Sequence, residues 1–326
     1  MAKISVALCT FNGSTFINEQ INSILNQTLP INEIIVCDDG STDDTMAILK
    51  QYEIENPGIF KIFKNEINLK SVKNFEKAIT LCTGEFIFLA DQDDVWIKHK
   101  VKKYIEYFKE NQNINVLASN GYRIDENNIN HEKYSLWDVP LFLRENNIEV
   151  NYLKIISFRQ NIATGATMAF RRDFRSKFLP FPILNEYHHD EWIALIASKY
   201  DSFELLQEKH FKYRIHSNQQ VGGVFFDKTA LVKKQLIEIF DLRELNQIDL
   251  ISLTSCKKRI KKIISCLKKN QLLSKINSQH KDLFNKNIEE LTKQYYNDRK
   301  NTLILFPIRA RLLFFVDKLT KKRQLN

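Results

Sequence analysis

Three carboxylates fall within four positions at Asp91-Gln92-Asp93-Asp94, directly after the apolar run Phe86-Ile87-Phe88-Leu89-Ala90. Side chains alternate along an extended backbone, so Asp91 and Asp93 would point to one side. Like charges that close raise each other's pKa unless a cation lies between them. Hard oxygen donors of this kind suit Mg²⁺ or Mn²⁺, with waters and substrate phosphates completing the shell. A plainer reading is an acidic turn in which Asp94 caps a helix starting near Val95. That cap is expected for Asp94, and it leaves Asp91 and Asp93 unexplained. A second acid pair, Asp38-Asp39, closes the run Ile34-Ile35-Val36-Cys37.

Two further places could carry chemistry. Asp190, in His188-His189-Asp190-Glu191, stands ahead of Trp192, Leu195 and Ile196, which share a helix face. It is an N-cap in the plain reading, and at an exposed element end it is also placed to act as a base. The i, i+1 spacing of His188 and His189 argues against a shared metal. In Phe211-Lys212-Tyr213-Arg214-Ile215-His216, strand alternation puts Arg214 and His216 on one side. An arginine there suits paired hydrogen bonds to a diphosphate, and a histidine suits donation or metal ligation. The competing reading is a surface strand with a solvated arginine.

The elements that must position these groups alternate. Ile4-Ser5-Val6-Ala7-Leu8-Cys9 reads as a first buried strand before the polar turn Thr10-Phe11-Asn12-Gly13. A helix with Phe16, Ile17, Ile21, Ile24 and Leu25 at helical spacing runs toward Pro30. Ile34–Cys37 is a second strand, Ser41 or Thr42 is positioned to cap the next helix, and Phe60–Phe63 is a weaker third strand. Asn74–Leu81 is helical, and Phe86–Ala90, apolar without alternation, is a central strand buried on both faces. Val116–Ser119 is a further strand, with Gly121-Tyr122-Arg123 a turn or strand end. The order is that of a parallel sheet with helices on both faces, in which ligands bind outside the strand carboxyl ends. Asp38/Asp39 and Asp91/Asp93 should therefore line one crevice, fitted to a metal-bound diphosphate. Neither G-x-G-x-x-G nor G-x-x-x-x-G-K-[ST] occurs, which argues against a dinucleotide enzyme or a P-loop NTPase.

Composition excludes other classes. The chain has 326 residues, 44% hydrophobic and 27% charged, so neither disorder nor a membrane span is implied. The start, Met1-Ala2-Lys3-Ile4, enters a strand with no room for a signal peptide, and five scattered cysteines indicate neither zinc nor disulfides. A cytosolic location is expected. Residues 251–326 hold 19 Lys+Arg against 5 Asp+Glu, a net of +14 out of the total +9, leaving −5 for the first 250 residues. A basic appendage on a mildly acidic body suggests docking rather than nucleic acid. Two stretches there, 257–264 and 303–315, mix apolar and cationic residues. Either they lie on an anionic bilayer at the inner face of the membrane, or they pack on the protein and show lysine to water.

The motifs together resemble family 2 glycosyltransferases of the GT-A fold, with the bacterial rhamnosyltransferase-like branch nearest. The matching residues are Val6-x-x-Cys9-Thr10-Phe11-Asn12, Asp38-Asp39-Gly40-Ser41-Thr42-Asp43, Gly84-Glu85-Phe86-Ile87 and Asp91-Gln92-Asp93-Asp94-Val95-Trp96. The resemblance implies an α/β GT-A domain over 1–224, its nucleotide-sugar half about 1–120 and its acceptor half about 121–224. A basic helical extension over 225–326 follows. Thr10, Phe11, Asn12, Asp39, Asp91 and Arg214 would bind the donor. Asp93, with Asp91 and His216, would hold Mn²⁺ or Mg²⁺, and Asp190 would be the base. The turn Ala163-Thr164-Gly165-Ala166 would border the sugar, and Gly222-Gly223 would close the catalytic unit. Lys70 stands where the family usually has glycine.

The function so implied is inverting transfer of a sugar from a UDP- or dTDP-linked donor to a growing bacterial surface glycan or lipid-linked acceptor. Two alternatives stay open. A sugar nucleotidyltransferase would need a Gly-rich basic loop after the first strand, which Thr10-Phe11-Asn12-Gly13 is not. A non-catalytic nucleotide-sugar sensor or membrane scaffold would need no base.

Overall fold

The computed structural model describes residues 2–184, 187–217, 219, 224–249, 251–320 and 322–323. The Gly222-Gly223 pair lies outside the described residues. The chain divides into two compact units, residues 1–138 with 163–226, and residues 139–162 with 227–326.

The first unit opens with β1 (Ile4–Thr10), α1 (Ile17–Leu25), β2 (Glu33–Asp38), α2 (Thr45–Glu55), β3 (Phe60–Lys64), α3 (Lys70–Leu81) and β4 (Phe86–Ala90). Every residue of β1, β2 and β4 is buried. Because successive side chains face opposite ways, a strand buried throughout must be covered on both faces. Ile17, Ile21 and Ile24 give α1 its buried stripe at i, i+4, i+7. The helix stops at Leu25, before Pro30 has to end it. Phe88 is wholly buried and packs on Trp96 and Tyr104; its truncation to alanine would cost about 3–5 kcal/mol.

β5 (Val95–Trp96), α4 (Lys100–Glu110), β6 (Val116–Asp125), β7 (Asn130–His131) and β8 (Lys133–Ser135) follow. Two short helices, α5 (Val139–Glu145) and α6 (Tyr152–Phe158), then belong to the second unit. β9 (Ala169–Arg171), α7 (Arg175–Phe178), α8 (His189–Lys199) and β10 (Phe203–Ile215) complete the main sheet, ordered β3-β2-β1-β4-β9-β6-β10-β5 with β7 on β6. β11 (Phe225–Asp227) pairs with β8 separately. The pairs β3–β2, β2–β1, β1–β4 and β6–β10 are parallel; β9 and β5 are antiparallel to their neighbours.

Three local expectations are corrected. Val95–Trp96 is a strand on β10, and the helix starts five residues further on at Lys100, so Asp94 caps nothing. An acid before apolar residues is a cap signature only if the backbone turns there, and here pairing with Phe211 and Lys212 keeps it extended. Neither Ser41 nor Thr42 caps α2: Ser41 is drawn onto Asp38, and Asp43 holds the Thr45 amide. Gly121-Tyr122-Arg123 does not turn the chain but continues β6. A side chain at Gly121 would collide with the Phe211 ring, so glycine admits the close neighbour strand.

The second unit adds α9 (Ala230–Phe240), α10 (Leu253–Ile276), α11 (Lys281–Leu305) and α12 (Pro307–Thr320). Its core joins Ile260, Ile263 and Leu267 of α10 to Leu291 and Tyr295 of α11 and to Ala310, Leu313 and Phe314 of α12. Among the described residues, no helix is long and apolar enough to cross a membrane.

Candidate active site

Strand register assembles the site. Thr10 lies opposite Asp38 across β1–β2, and Leu8 opposite Ala90 across β1–β4. The carboxyl ends of β2, β1 and β4 thus share one edge, with Asp38-Asp39, Thr10–Gly13 and Asp91–Asp94 on it. β10 pairs antiparallel with β5, Lys212 opposite Val95, so continuing two residues brings Arg214 opposite Asp93.

The turn after β1 is laced to the other two loops. Asn12 adopts φ 49°, a left-handed conformation that asparagine tolerates. Its amide donates to Ser41 Oγ and its Oδ1 accepts from the Thr42 amide, each at 2.8 Å. Gln92 clasps Phe11 twice, accepting from its amide at 2.8 Å and donating to its carbonyl at 3.0 Å. The Phe11 ring stays 39% exposed, a free aromatic face at the rim. Thr10 is buried and donates to Asp38 Oδ2 at 2.9 Å.

Asp39 is buried and fully engaged. Its Oδ1 accepts from the Leu69 amide at 2.7 Å and Asn65 Nδ2 at 2.8 Å, and its Oδ2 from the Lys70 amide at 2.8 Å. The carboxylate thereby fixes the 65–70 loop. Lys70 sits there at φ 62°, a left-handed conformation costly for a residue with a Cβ.

The acids after β4 stand differently. The Asp91 side chain makes no hydrogen bond among the described residues, and Gln20 holds only its carbonyl, at 2.8 Å. Burial, with the charges of Asp93 and Asp190, pushes Asp91 up to about 7. Asp94 is buried and raised well above the carboxylate range by burial and by Asp93 and Asp91. Its Oδ1 accepts from the Arg214 amide at 3.0 Å, while Oδ2 has no partner. Asp93 Oδ2 lies 3.0 Å from His216 Nε2. Beneath them Lys100 is wholly buried, its Nζ donating to the Ala166 carbonyl at 2.7 Å and lying 4.0 Å over the Trp96 ring. Burial draws its pKa down to about 7 against the pull of Asp94 and Asp91.

Arg214 is fully buried, and protein groups surround its guanidinium. Nε donates to the Asp93 carbonyl at 2.8 Å, Nη1 to the Asp125 carbonyl at 3.2 Å and Nη2 to Glu19 at 2.6 Å. The Phe16 ring lies 4.5 Å from the guanidinium carbon and also packs against His216. In this geometry Arg214 clamps the Asp93 loop.

Asp190 enters from α8. The cap position belongs to His188, so Asp190 lies within the first turn. Its Oδ1 accepts from the Glu191 amide at 2.6 Å and its Oδ2 from the Gly165 amide at 3.2 Å. Burial pushes it up to about 6. The turn at Gly165–Thr167 is held by Lys100 and by Tyr104, whose hydroxyl donates to the Thr167 carbonyl at 2.6 Å. His189 is buried at 6% exposure against Phe75, both ring nitrogens unpartnered, and desolvation lowers its pKa to about 3. A Cβ on Gly165 would meet its Nε2 at 2.6 Å, which requires glycine in this turn.

All nine residues singled out in the sequence lie in the first unit. Asp93, His216 and Arg214 meet directly, and Asp91 feels the charges of both Asp93 and Asp190. Thr10 and Asp39 sit on the same edge with their polar groups bonded inward. Sequence reasoning gave no part in the site to Gln92, Glu19, Lys100 or Phe16, the last read only as a residue of the first helix. Gln92 stands inside the acidic motif and was open to notice; the others act through contacts between distant segments, which leave no local pattern.

The donors present fit a hard divalent ion. The Asp93 carboxylate meets the His216 imidazole at 3.0 Å, and the Asp91 carboxylate feels the Asp93 charge, donor types that suit such an ion. Among the described residues, no group of three or more His, Cys, Asp or Glu side chains is arranged to hold a metal ion by itself.

A mostly parallel sheet carrying acids at its carboxyl edge, with a helical extension after it, is the architecture of the GT-A fold. The model of glycosyl transferase family 2 matches residues 5–178, more than half of the chain, and the chain belongs to that family. It is 27% identical over 230 residues to the dTDP-rhamnosyl transferase RfbG of Shigella flexneri, covering 66% of this chain and 74% of that one. In fold it resembles residues 1–349 of S. aureus TarS, solved with UDP-GlcNAc, at TM-score 0.53 and 18% identity over 90% and 89% of the two chains. It also resembles the mannosyltransferase PcManGT of Pyrobaculum calidifontis, solved with GDP-Man and Mn²⁺, at TM-score 0.51 and 13% identity over 98% and 80%.

Proposed function

We propose that this glycosyltransferase moves a sugar from a UDP- or dTDP-linked donor to a hydroxyl of a growing bacterial surface glycan or lipid-linked acceptor, with inversion. The observation that carries the reading is that Asp93 meets His216 beyond the carboxyl end of β4, while Asp91 beside it feels the charges of both Asp93 and Asp190. The similarity to the dTDP-rhamnosyl transferase RfbG favours a deoxysugar on dTDP; the UDP-GlcNAc in TarS keeps UDP donors in view.

In this reading the nucleotide lies along Thr10–Asn12, its base against the exposed Phe11 ring and the 65–70 loop that Asp39 shapes. Asp93, Asp91 and His216 would hold Mn²⁺ or Mg²⁺, which when bound supplies countercharge for the leaving diphosphate. Arg214 fixes Asp93 through its carbonyl and stacks Phe16 against His216, so it positions ligands rather than touching phosphate. The acceptor oxygen attacks the anomeric carbon from the face opposite the diphosphate. Its proton passes to Asp190, and the carbon–oxygen bond to the diphosphate breaks with its electron pair leaving on the nucleotide. Asp190, raised to about 6 and oriented by the Gly165 amide, is matched to proton capture near neutrality. One displacement inverts the centre without an enzyme nucleophile.

The test is donor hydrolysis, without acceptor, across UDP-, dTDP- and GDP-sugars with Mn²⁺, Mg²⁺ or EDTA. Release of one nucleoside diphosphate that needs metal and disappears in Asp93→Ala supports the proposal. If no donor turns over and none stabilises the fold against heat, the nucleotide-sugar reading fails.

A further inference from the structure

The two basic, apolar stretches of the C-terminal region have different fates. In 257–264, Ile260, Ile263 and Ile264 are buried in the helical core while Lys258 and Lys261 face water. That block is satisfied by packing. Helix α12 is not. Ala310, Leu313 and Phe314 face the core, joined there by buried Asp317, which is held by Arg323. Yet Ile308, Leu312, Phe315 and Leu319 are 84%, 66%, 60% and 68% exposed.

Those four step by four, three and four residues, so they form one stripe along the helix, opposite the packed face. Val316, 43% exposed, widens it. At 100° per residue Arg309 falls on one flank of the stripe and Arg311 and Lys318 on the other, and all three are exposed. The only acid of α12 is the buried Asp317. Immediately before the helix, Ile304 and Leu305 are exposed as well. Fourteen residues give an apolar edge of about 21 Å, bordered on both sides by cations.

We propose that α12 is an in-plane anchor for an anionic phospholipid bilayer. The stripe enters the acyl boundary while Arg309, Arg311 and Lys318 reach out to phosphate headgroups on either side. Charge decides against a second copy of this chain as the occupant. Pairing two stripes would bring three cations of each helix together with no exposed acid on α12 to neutralise them. The inference deepens the transferase reading by naming the surface at which a lipid-linked acceptor is met. It is measured without donor or turnover, so its failure leaves that reading intact.

The experiment is co-sedimentation of the full chain with vesicles of phosphatidylcholine, with and without phosphatidylglycerol. Wild type is expected to sediment with the anionic vesicles, with much weaker binding to neutral ones. Leu312→Gln/Phe315→Gln and Arg309→Gln/Arg311→Gln/Lys318→Gln should each reduce anionic binding about tenfold or more, with helix content by circular dichroism unchanged. Absence of wild-type binding, equal binding to both vesicles, or retained binding in the Leu312→Gln/Phe315→Gln protein would overturn the proposal. So would a wild-type dimer in sedimentation velocity that the same apolar substitutions convert to monomer.

Discussion

Two acid pairs end neighbouring parts of one sheet edge, and the structure treats them in opposite ways. Asp38 and Asp39 are saturated: Asp38 accepts from Thr10, the Gly40 amide and Ser41, and Asp39 from Asn65 and two loop amides. Asp91 and Asp94 are left short of partners, and burial and the charge of Asp93 drive both pKa values up. One pair braces the loops that follow β1, β2 and β3. The other carries the electrostatic cost of buried acids with too few partners. A carboxylate at a strand end is thus identified as scaffold or as chemistry by where its lone pairs go.

The largest effect tests the open half. Asp190→Asn should lower kcat by roughly 10³-fold with little change in KM. In wild type, kcat/KM should rise as pH climbs through about 6, because the base must first lose its proton, and the variant should lack that limb. A variant that keeps the limb would detach Asp190 from the chemistry. Next comes the clamp. Arg214→Met leaves the Asp93 and Asp125 carbonyls without their donor at a buried site, and should cost about 1–3 kcal/mol by urea denaturation. If stability is unchanged, Arg214 is not what holds the Asp93 loop.

The saturated half should respond only structurally. Asp39→Asn weakens the acceptor for the Leu69 and Lys70 amides and should cost about 1–2 kcal/mol. Asp91→Asn should have the opposite sign. An acid raised to about 7 in the fold, against about 3.9 unfolded, lowers stability increasingly as pH rises between those values. The variant should therefore raise the metal-free Tm at pH 8, by less at pH 5, and Mn²⁺ should shrink the gain. An unchanged Tm at pH 8 would remove the claim of strain. The smallest expected effect is at Lys70: glycine at φ 62° should stabilise by about 1 kcal/mol, read by the same urea titration.

The strands and the acid edge were legible because Ile34–Cys37 and Phe86–Ala90 are apolar without alternation, and a parallel sheet needs that pattern. Asp94 misled because its sequence context is that of a cap, whereas a two-residue strand pairing with a segment over a hundred residues away kept it extended. The same pairing delivers Arg214 to Asp93, and no spacing within either motif encodes it. Residues 139–162 were unreadable as part of the helical unit since α5 and α6 are short and their partners come from 227–326. Composition of 303–315 left its two faces undecided; only the burial of Ala310, Leu313 and Phe314 shows which one is spare.

The most direct measurement is Mn²⁺ binding at saturating UDP, followed by loss of the free-ion EPR signal, in wild type, Asp93→Asn and Asp39→Asn. The account requires binding to fall at least tenfold in Asp93→Asn and to stay within a few-fold of wild type in Asp39→Asn. Normal binding in Asp93→Asn, or an equal loss in both variants, would contradict the division of the edge into a chemical half and a structural half.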